Sequence, residues 1–287
     1  MEEKIIEAIG QIRPFLQRDG GDIEFIELTE DNVVKVRLQG HCAGCPGAMM
    51  TLKGIVERII KENYPEIKSF NLIAAGHGYS LSPDIMPIQV DKKYLKTPIM
   101  PFEMAEKAQI PVWVTEISDV TPLDISIQDG LKWAVTFHNY LTKANVSAIV
   151  WWGGAMPTAN NESLIILDKN RKDFLLSKRY DILGNFSRYI PEKSTRIQVT
   201  QSNGVPLLIS AYKKDNKYTL VTINPSGQTI QTSLRLDGAD INGSLKQYIT
   251  TEDSRWTETT IIQENKKNYN LTIPPFSVDT FVGKVRL

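Results

Sequence analysis

The sequence GHCAGCPG, at residues 40–47, holds both cysteines of this 287-residue chain. The run VVKVRL at residues 33–38 predicts a strand before it, and residues 48–63 predict a helix after it. Cys42 and Cys45 therefore lie on a glycine-rich turn at a helix N-terminus, where backbone N–H groups and the helix dipole favour thiolate. Thiolates are the ligands of soft metals and of iron–sulfur clusters. A cluster usually takes four sulfurs and one chain offers two, so two chains would have to share it.

The CxxC spacing alone leaves two other interpretations open. A CxxC on a strand–turn–helix is also found in thioredoxin-like redox pairs. Free cysteines are, in addition, often small buried apolar residues with no chemistry of their own. The spacing by itself therefore does not choose between cluster binding, redox exchange and neither.

Length and charge narrow the possible functions. At about 150 residues per domain, 287 residues predict two domains or one large one. The chain has 33 Lys+Arg and 33 Asp+Glu, so no charge excess indicates a nucleic-acid partner or a membrane surface. No apolar run approaches the ~18 residues that a membrane span needs. The charged start MEEK leads directly into an amphipathic helix, so we expect no secretory signal and a cytoplasmic location, which suits reduced thiols.

Residues 1–72 are predicted to form a small α+β domain. Ile5, Ile9, Ile12 and Leu16 recur at helical spacing, and further elements are predicted at residues 23–28, 33–38, 48–63 and 66–73. All five tryptophans follow Leu72. This shift in composition predicts a domain boundary near Leu72.

Several motifs of this first segment together resemble the NifU C-terminal (Nfu-type) iron–sulfur domain. They are Arg13-Pro14 with Leu16, Asp19-Gly20-Gly21-Asp22, Val36-Arg37-Leu38-Gln39-Gly40 and Cys42-x-x-Cys45-Pro46. The resemblance implies a scaffold or carrier whose Cys42 and Cys45 bridge a [4Fe-4S] cluster between two subunits. It thus implies a homodimer, with apo iron–sulfur proteins as acceptors of the cluster. Because this family uses cysteines alone, we expect His41 to be a solvated turn residue and not a third ligand.

Residues 73–195 alternate between predicted strands and helices, which is typical of βαβ units with a parallel sheet. Apolar strands are predicted at residues 73–79, 111–116 and 148–152, with a helix at 126–143 in which His138 is a packing or surface residue. In barrels of such units, side chains at the C-terminal strand ends carry the chemistry. Those positions here hold His77, Tyr79, Glu116, Trp151 and Trp152. A glutamate that closes a strand is, taken alone, equally compatible with a loop or helix-cap carboxylate that has no catalytic role.

Residues from about 71 to 287 resemble glycoside hydrolase family 30, in its xylanase-like branch. The motifs are residues 73–79, 113–119 and 151–152, then SKRY at 177–180, GNFSR at 184–188, SAY at 210–212, VTIN at 221–224, YITT at 248–251 and PPFSV at 274–278. The resemblance implies that Glu116 is the nucleophile of a retaining xylanase acting on β-1,4-xylan. It also implies that the sugar subsites are lined by His77, Tyr79, Trp151 and Trp152. Relatives of this part are usually secreted.

Residues 196–287 alternate with period two and predict an all-β region. Its strands are expected at 207–211, 218–223, 229–236, 244–248, 268–273 and 280–285. By the resemblance this is the β-sandwich side domain of the hydrolase family. An unrelated sandwich used only for packing would give the same pattern.

The hydrolase-like part is too short for a whole barrel. A (β/α)8 barrel takes about 250 residues, whereas only about 120 lie between Leu72 and the β region, matching the family's last three strands. The strand that bears the acid/base glutamate is missing, although retaining hydrolysis needs two carboxyl groups about 5–5.5 Å apart. Asp119 and Asp124 follow Glu116, but no motif gives either of them the acid's position. The loop at residues 153–158 also lacks the arginines that glucuronoxylan-specific members use.

The sequence therefore predicts a cluster-binding domain at residues 1–72 fused to an inactive barrel fragment at 73–195 and a side domain at 196–287. The alternative is an active retaining glycoside hydrolase. Three isolated barrel strands would leave unpaired sheet edges. Since the last predicted strand of the first part runs directly into residues 73–79, the two parts can share one strand.

Overall fold

The computed structural model describes residues 2–18, 20–40, 57–65, 69–77, 111–168, 170, 172–202, 204–237, 244–262 and 268–285. These residues divide into two compact units. The first takes the described residues within 1–81, 98–118 and 140–152, and the second takes those within 119–139 and 153–287. Within the described residues, no helix is both long enough and apolar enough to cross a membrane.

The first unit begins with a helix packed on a β-hairpin. Helix α1 (Glu2–Arg18) packs against β1 (Gly21–Leu28), which is antiparallel to β2 (Val33–Gly40). The apolar face predicted for α1 is confirmed, because its four members are at most 6% exposed: Ile5, Ile9, Ile12 and Leu16. They share the core with the buried strand residues Ile23, Val34, Val36 and Leu38.

Strand β3 connects the hairpin to the strands that follow. Helix α2 (Glu57–Asn63) precedes β3 (Ser69–His77), and β4 (Val112–Ile117), α3 (Ile127–Thr142) and β5 (Val146–Trp151) come next. The first five residues of β3 pair in parallel with β2, from Val33↔Ser69 to Arg37↔Ile73. Its remaining residues pair in parallel with β4, and β4 pairs in parallel with β5. The described residues thus form a sheet in the order β1-β2-β3-β4-β5.

The continuity of β3 agrees with the expectation that the strands predicted at residues 66–73 and 73–79 run together as one shared strand. Leu72 lies inside a single strand, since no glycine–proline or Asn-Gly turn signal interrupts the sequence SFNLIAAGH. Strand β2 pairs with residues 69–73 of β3, and residues 74–77 pair with β4, so β2 covers the first part of this strand only. Residues 66–68 and 78–79, at the two ends of the expected strands, lie outside the described residues.

Every residue of helix α3 is buried or half-buried, as expected of a helix that packs within the core on nearly all sides. His138 on this helix is 7% exposed, which agrees with a packing role. The helix predicted at residues 126–143 is confirmed at Ile127–Thr142. Of the helix predicted at 48–63, only the last turns fall within the described residues.

The second unit contains a small sheet and a helix ahead of the β region. Strands β6 (Ala155–Met156), β7 (Ile165–Asp168) and β8 (Asp173–Leu176) lead into α4 (Lys178–Ser187), whose N-cap is Ser177. The indole of Trp256 packs directly on Gly184 of α4, where an added Cβ would lie 2.1 Å from the ring. Its Nε1 donates to the Asp181 carbonyl at 2.7 Å, and the Arg188 guanidinium lies 4.4 Å from the ring centroid.

The β region consists of two antiparallel sheets in the part that the structure describes. Its strands are β9 (Thr195–Ile197), β10 (Leu208–Lys214), β11 (Lys217–Asn224), β12 (Ile230–Arg235), β13 (Ser244–Thr250), β14 (Thr257–Ile262), β15 (Asn268–Ile273) and β16 (Ser277–Lys284). One sheet has the order β14-β13-β16-β11-β10-β9, and β12 pairs with β15. Both contribute to one apolar core made of Leu207, Ala211, Leu220, Leu245, Tyr269, Leu271, Ile273 and Phe281. All six predicted strands are confirmed, whereas β9 and β14 were not predicted.

A buried arginine holds the second unit together between α3, α4 and the preceding loops. Arg179 is 0% exposed, and its Nη1 donates to Asp129 Oδ2 at 2.5 Å, to Asn161 Oδ1 at 2.9 Å and to the Asp124 carbonyl at 2.6 Å. Its Nη2 donates to the Ser163 carbonyl at 3.1 Å. Burial raises the pKa of Asp129 to about 6, against the opposing effect of Arg179. Arg179, with a smaller contribution from Lys132, thus opposes the effect of burial on this carboxyl group.

Replacing Arg179 by methionine is expected to lower the free energy of unfolding by about 3–5 kcal/mol, because the buried Asp129 would lose its closest cationic partner and keep only Lys132, whose Nζ lies 4.0 Å away. Urea unfolding at pH 7 measures this change. The matched control is Arg235→Met, which removes an exposed pair whose side chains are 62% and 81% accessible. That control should change stability by less than about 0.5 kcal/mol. Equal effects of the two variants would contradict the role given to Arg179.

Asp279 in β16 is a second buried acid, at 0% exposure. Its Oδ1 accepts from Gln247 Nε2 at 2.8 Å, and its Oδ2 lies 2.5 Å from Ser277 Oγ. The same hydroxyl lies 2.9 Å from the carbonyl oxygen of Pro274. Burial raises the pKa of Asp279 to about 7, although both side-chain hydrogen bonds lower it. A protonated Asp279 can donate a hydrogen bond to Ser277 Oγ. The Ser277 hydroxyl can then donate its own hydrogen to the carbonyl oxygen of Pro274.

Asp279 is therefore expected to stabilise the fold most at low pH. Its folded pKa of about 7 exceeds the unfolded value near 3.9, so its contribution is complete below pH 4 and is lost as the pH rises towards 7. The free energy of unfolding of the unaltered chain minus that of the Asp279→Asn variant should fall by up to about 1.4 kcal/mol per pH unit. Urea midpoints of both proteins between pH 4 and 8 provide the measurement. A difference that stays constant over this range would disprove the protonated state.

Candidate functional site

Two motifs of the N-terminal segment meet in the structure through an ion pair. Arg13 on α1 donates through Nε and Nη2 to the two carboxylate oxygens of Asp22, at 2.6 and 2.7 Å. The hydrogen bond from Arg13 is the main cause that lowers the pKa of Asp22 to about 2. Gly20 between them has a φ of +75°, a conformation that favours glycine. Arg13, Gly20 and Asp22 thus fix the turn from α1 to β1.

This turn lies beside the strand end from which the cysteine segment begins. Gly21 is the register partner of Gly40, the last residue of β2. Cys42 follows two residues later. Cys42, Cys45 and His41 themselves lie outside the described residues. Within the described ranges, no group of three or more His, Cys, Asp or Glu side chains is placed to hold a metal ion.

The carboxyl ends of the neighbouring parallel strands carry the residues predicted for sugar binding and catalysis. His77, the last residue of β3, is the register partner of Glu116 on β4. Trp151 at the end of β5 is the partner of Ile117, and the Trp152 N–H donates to the Ile117 carbonyl at 2.9 Å. Glu116 is half-buried, and Trp152 is 49% exposed.

The structure therefore brings His77, Glu116, Trp151 and Trp152 to one edge of the sheet, as the strand pattern predicted. Tyr79 lies outside the described residues. The roles of nucleophile and sugar-subsite residues stay predictions, because placement at a strand end does not by itself assign a role.

Asp119, one of the two carboxylates that follow Glu116 in the sequence, is tightly held within the second unit. It is 3% exposed and accepts from the Thr121 N–H at 2.9 Å, from Thr121 Oγ1 at 2.8 Å and from Lys132 Nζ at 2.6 Å. Burial alone would raise its pKa, but the hydrogen bonds from Lys132 and Thr121 lower it overall. Asp119 is thus an ionised carboxylate at neutral pH and has no proton to give to a leaving group.

Asp124 is also engaged by the backbone. Its Oδ1 accepts from the Ser126 N–H at 2.9 Å, one residue before α3 begins, and its own N–H donates to Asn161 Oδ1 at 2.7 Å. This is the arrangement of a carboxylate that orders a helix N-terminus. Sequence analysis missed Asn161, which forms hydrogen bonds with Asp124, Thr121, Asp129 and Arg179. One sequence signal could have indicated such a partner. Asp129 lies in the first turn of an otherwise apolar helix, and a buried charge needs polar partners.

Comparison with known proteins gives two separate similarities. The model of the NifU-like domain matches residues 5–71. Over 66 residues the chain is 42% identical to NifU-like protein 2, chloroplastic, of Arabidopsis thaliana, covering 23% of this chain and 28% of that protein. Over 59 residues it is 46% identical to the mitochondrial NFU1 iron-sulfur cluster scaffold homolog of Drosophila persimilis, covering 21% of each.

The second similarity is to xylanases. The chain is 26% identical over 180 residues to Glucuronoxylanase XynC of Bacillus subtilis (strain 168), which covers 60% of this chain and 39% of that protein. The chain thus spans well under half the length of these curated relatives.

Solved structures show the same fold relationship. A glycoside hydrolase family 30 subfamily 8 xylanase from Clostridium acetobutylicum has a TM-score of 0.59 at 19% identity, over 81% of this chain and 60% of that one. A GH30 endoxylanase from Clostridium papyrosolvens C71 also has a TM-score of 0.59, at 18% identity, over 99% of this chain and 72% of that one. The chain therefore joins a NifU-like domain at residues 5–71 to a sheet-rich region that is similar to family 30 xylanases in sequence and in fold.

Proposed function

We propose that this chain is an iron–sulfur cluster scaffold or carrier, with Cys42 and Cys45 of two chains holding a [4Fe-4S] cluster as cargo. The observation that carries the proposal is that the CxxCP sequence begins two residues after β2 ends, inside the segment that matches the NifU-like domain. The similarity to a protein named as an iron–sulfur cluster scaffold supports it.

The chemistry required of this chain is limited to holding and releasing the cluster. Thiolates at a strand end followed by a helix are the ligand type that clusters use. With two sulfurs per chain, a cluster that needs four is complete only in a homodimer. Acceptor apo-proteins would take the cluster by substituting their own thiolates for Cys42 and Cys45. A reducing compartment such as the cytoplasm would keep both thiols available.

For the remainder of the chain we propose a fragment of a (β/α)8 barrel at residues 73–195 and a β-sandwich side domain at 196–287. The parallel pairing of β3, β4 and β5, with α3 between β4 and β5 in the chain, supports the first assignment. The common apolar core of the two antiparallel sheets supports the second. In this proposal the fragment is catalytically inactive.

The second candidate is a retaining hydrolase acting on β-1,4-xylan through Glu116. It is favoured by the register pairing of His77 with Glu116 and by the tryptophans at the next strand end. Retaining hydrolysis also needs an acid that protonates the leaving oxygen. Asp119 is unsuited to that step because Lys132 and Thr121 hold its pKa below the usual value. We therefore rank this candidate second.

The cluster proposal is tested by anaerobic reconstitution of the full chain with ferrous iron and sulfide. We expect a dimer by size-exclusion chromatography that contains about two iron atoms per chain, half of a shared four-iron cluster. Cys42→Ala and Cys45→Ala together should abolish iron binding and visible absorbance, because all four sulfurs are lost. His41→Ala is the matched control on the same turn and should bind iron normally. A double alanine variant that still binds the same amount of iron would refute the proposal.

For hydrolysis we expect no release of reducing ends from β-1,4-xylan above the level of a Glu116→Gln variant, since the sequence has no counterpart of the strand that bears the acid/base glutamate in the family it resembles. A reducing-sugar assay on both purified proteins measures this. Activity of the unaltered chain that is clearly higher than that of Glu116→Gln would contradict the proposed inactivity and favour the retaining hydrolase.

A further inference from the structure

The end of strand β2 is fastened to strand β1 by a side-chain contact and by the sheet register. Gln39 Nε2 donates to Glu24 Oε2 across the hairpin at 2.8 Å. Gly40, the last residue of β2, is the register partner of Gly21, the first residue of β1. The first cysteine of the chain follows Gly40 two residues later. The first residues of β1 therefore decide whether the last residue of β2 stays in the sheet.

Those first residues of β1 are in turn fastened to helix α1. Arg13 donates through Nε and Nη2 to the two carboxylate oxygens of Asp22, at 2.6 and 2.7 Å. The Gly20 N–H donates to the Gln17 carbonyl at 3.1 Å, which closes the turn between the two elements. Pro14 lies inside α1 and has no N–H, so the helix lacks one of its own hydrogen bonds next to Arg13. The contact between Arg13 and Asp22 thus ties β1 to a weakened part of the helix.

The exposure of this ion pair indicates a local effect. The Arg13 side chain is 52% exposed and that of Asp22 is 24% exposed. Exposed ion pairs add little to global stability, whereas a two-bond arginine–carboxylate contact fixes the relative orientation of its partners. The hydrogen bond from Arg13 lowers the pKa of Asp22 to about 2, so the pair stays charged wherever cysteine thiolates form.

We propose that Arg13 is a positioning residue for the cysteine segment, residues 41–47. By holding Asp22, Arg13 keeps β1 paired with the last residue of β2, and this pairing fixes the point where the cysteine segment leaves the sheet. This role rests on the proposed cluster function and adds to it a residue that acts through Asp22 and not by ligation. Groups that orient ligands in this way influence how tightly a metal centre is held.

Amide hydrogen exchange of the cluster-free, reduced full chain gives the first test. Arg13→Gln should speed exchange about 5–30-fold in peptides that include residues 20–24 and 37–40, the factor that corresponds to losing one strong contact. Exchange in β16 should stay unchanged, and so should the urea midpoint of the chain. Arg58→Gln is the matched control, because it removes the same charge from an exposed pair on α2. Equal exchange of the two variants in these peptides would overturn the proposal.

The second test is the rate of cluster loss after reconstitution with iron and sulfide. With excess chelator, the visible absorbance of Arg13→Gln should decay about 5–30-fold faster than that of the unaltered chain. Arg13→Lys keeps the charge but cannot form the two-bond contact, so its rate should lie between the two. Arg58→Gln should lose its cluster at the unaltered rate.

A double variant shows whether Arg13 acts through Asp22. In an Asp22→Ala background, Arg13→Gln should change neither the exchange nor the rate of cluster loss, because the partner is already gone. An effect as large as in the unaltered chain would overturn the proposal, since Arg13 would then act independently of Asp22.

The outcomes keep this role apart from the proposed function. If the unaltered chain binds no cluster, the cluster proposal fails, and the positioning role that rests on it fails too. If the unaltered chain binds a cluster and Arg13→Gln loses it no faster, only the positioning role is wrong.

Discussion

The structure of the first unit depends on the backbone hydrogen bonds of β3. A strand has N–H and C=O groups on two sides, and β3 uses one side for β2 along its first half and the other for β4 along its second half. Three barrel-type strands alone would leave this side of the sheet unpaired, which is a liability for aggregation. Pairing of β2 with the first half of β3 joins the hairpin to the other strands and gives β2, β3, β4 and β5 a common direction. Every proposal about the strand ends follows from that common direction.

Buried charges and their hydrogen bonds connect the elements of the segment that follows β4. Lys132 binds Asp119, and Arg179 binds Asp129. The side-chain amide of Asn161 connects the two pairs, because it donates to Asp129 and to Thr121, the residue whose hydroxyl binds Asp119. Charges removed from water are stable only with such partners, so each carboxylate is committed to a structural role. The same contacts bear on function, because an acid that is held ionised by a lysine cannot serve as a proton donor at neutral pH. The loop is thus well ordered and, for the same reason, poor in groups for acid catalysis.

The sequence predicted those elements in which the spacing of the apolar residues shows which side is buried. The buried face of α1 and the six alternating strands between residues 207 and 285 were recognised because one side of each faces a core. Strand β14 was missed because it is an edge strand of which nearly every residue is exposed. The continuity of β3 was anticipated because the strands predicted at residues 66–73 and 73–79 abut. Its change of partner from β2 to β4 was not, because a strand's partners are set by distant residues and leave no mark on its own pattern. Arg179 was seen only as part of a motif, since its burial depends on Asp129 and Asn161.

The number of sulfurs per chain links the proposed cluster to oligomeric state. A four-iron cluster that uses cysteines alone needs four of them, and this chain has two. In the proposal, cluster binding and dimer formation are therefore one equilibrium, and by mass action the loaded state is favoured at high chain concentration. Dilution of a loaded dimer should for the same reason release the cluster together with the partner chain.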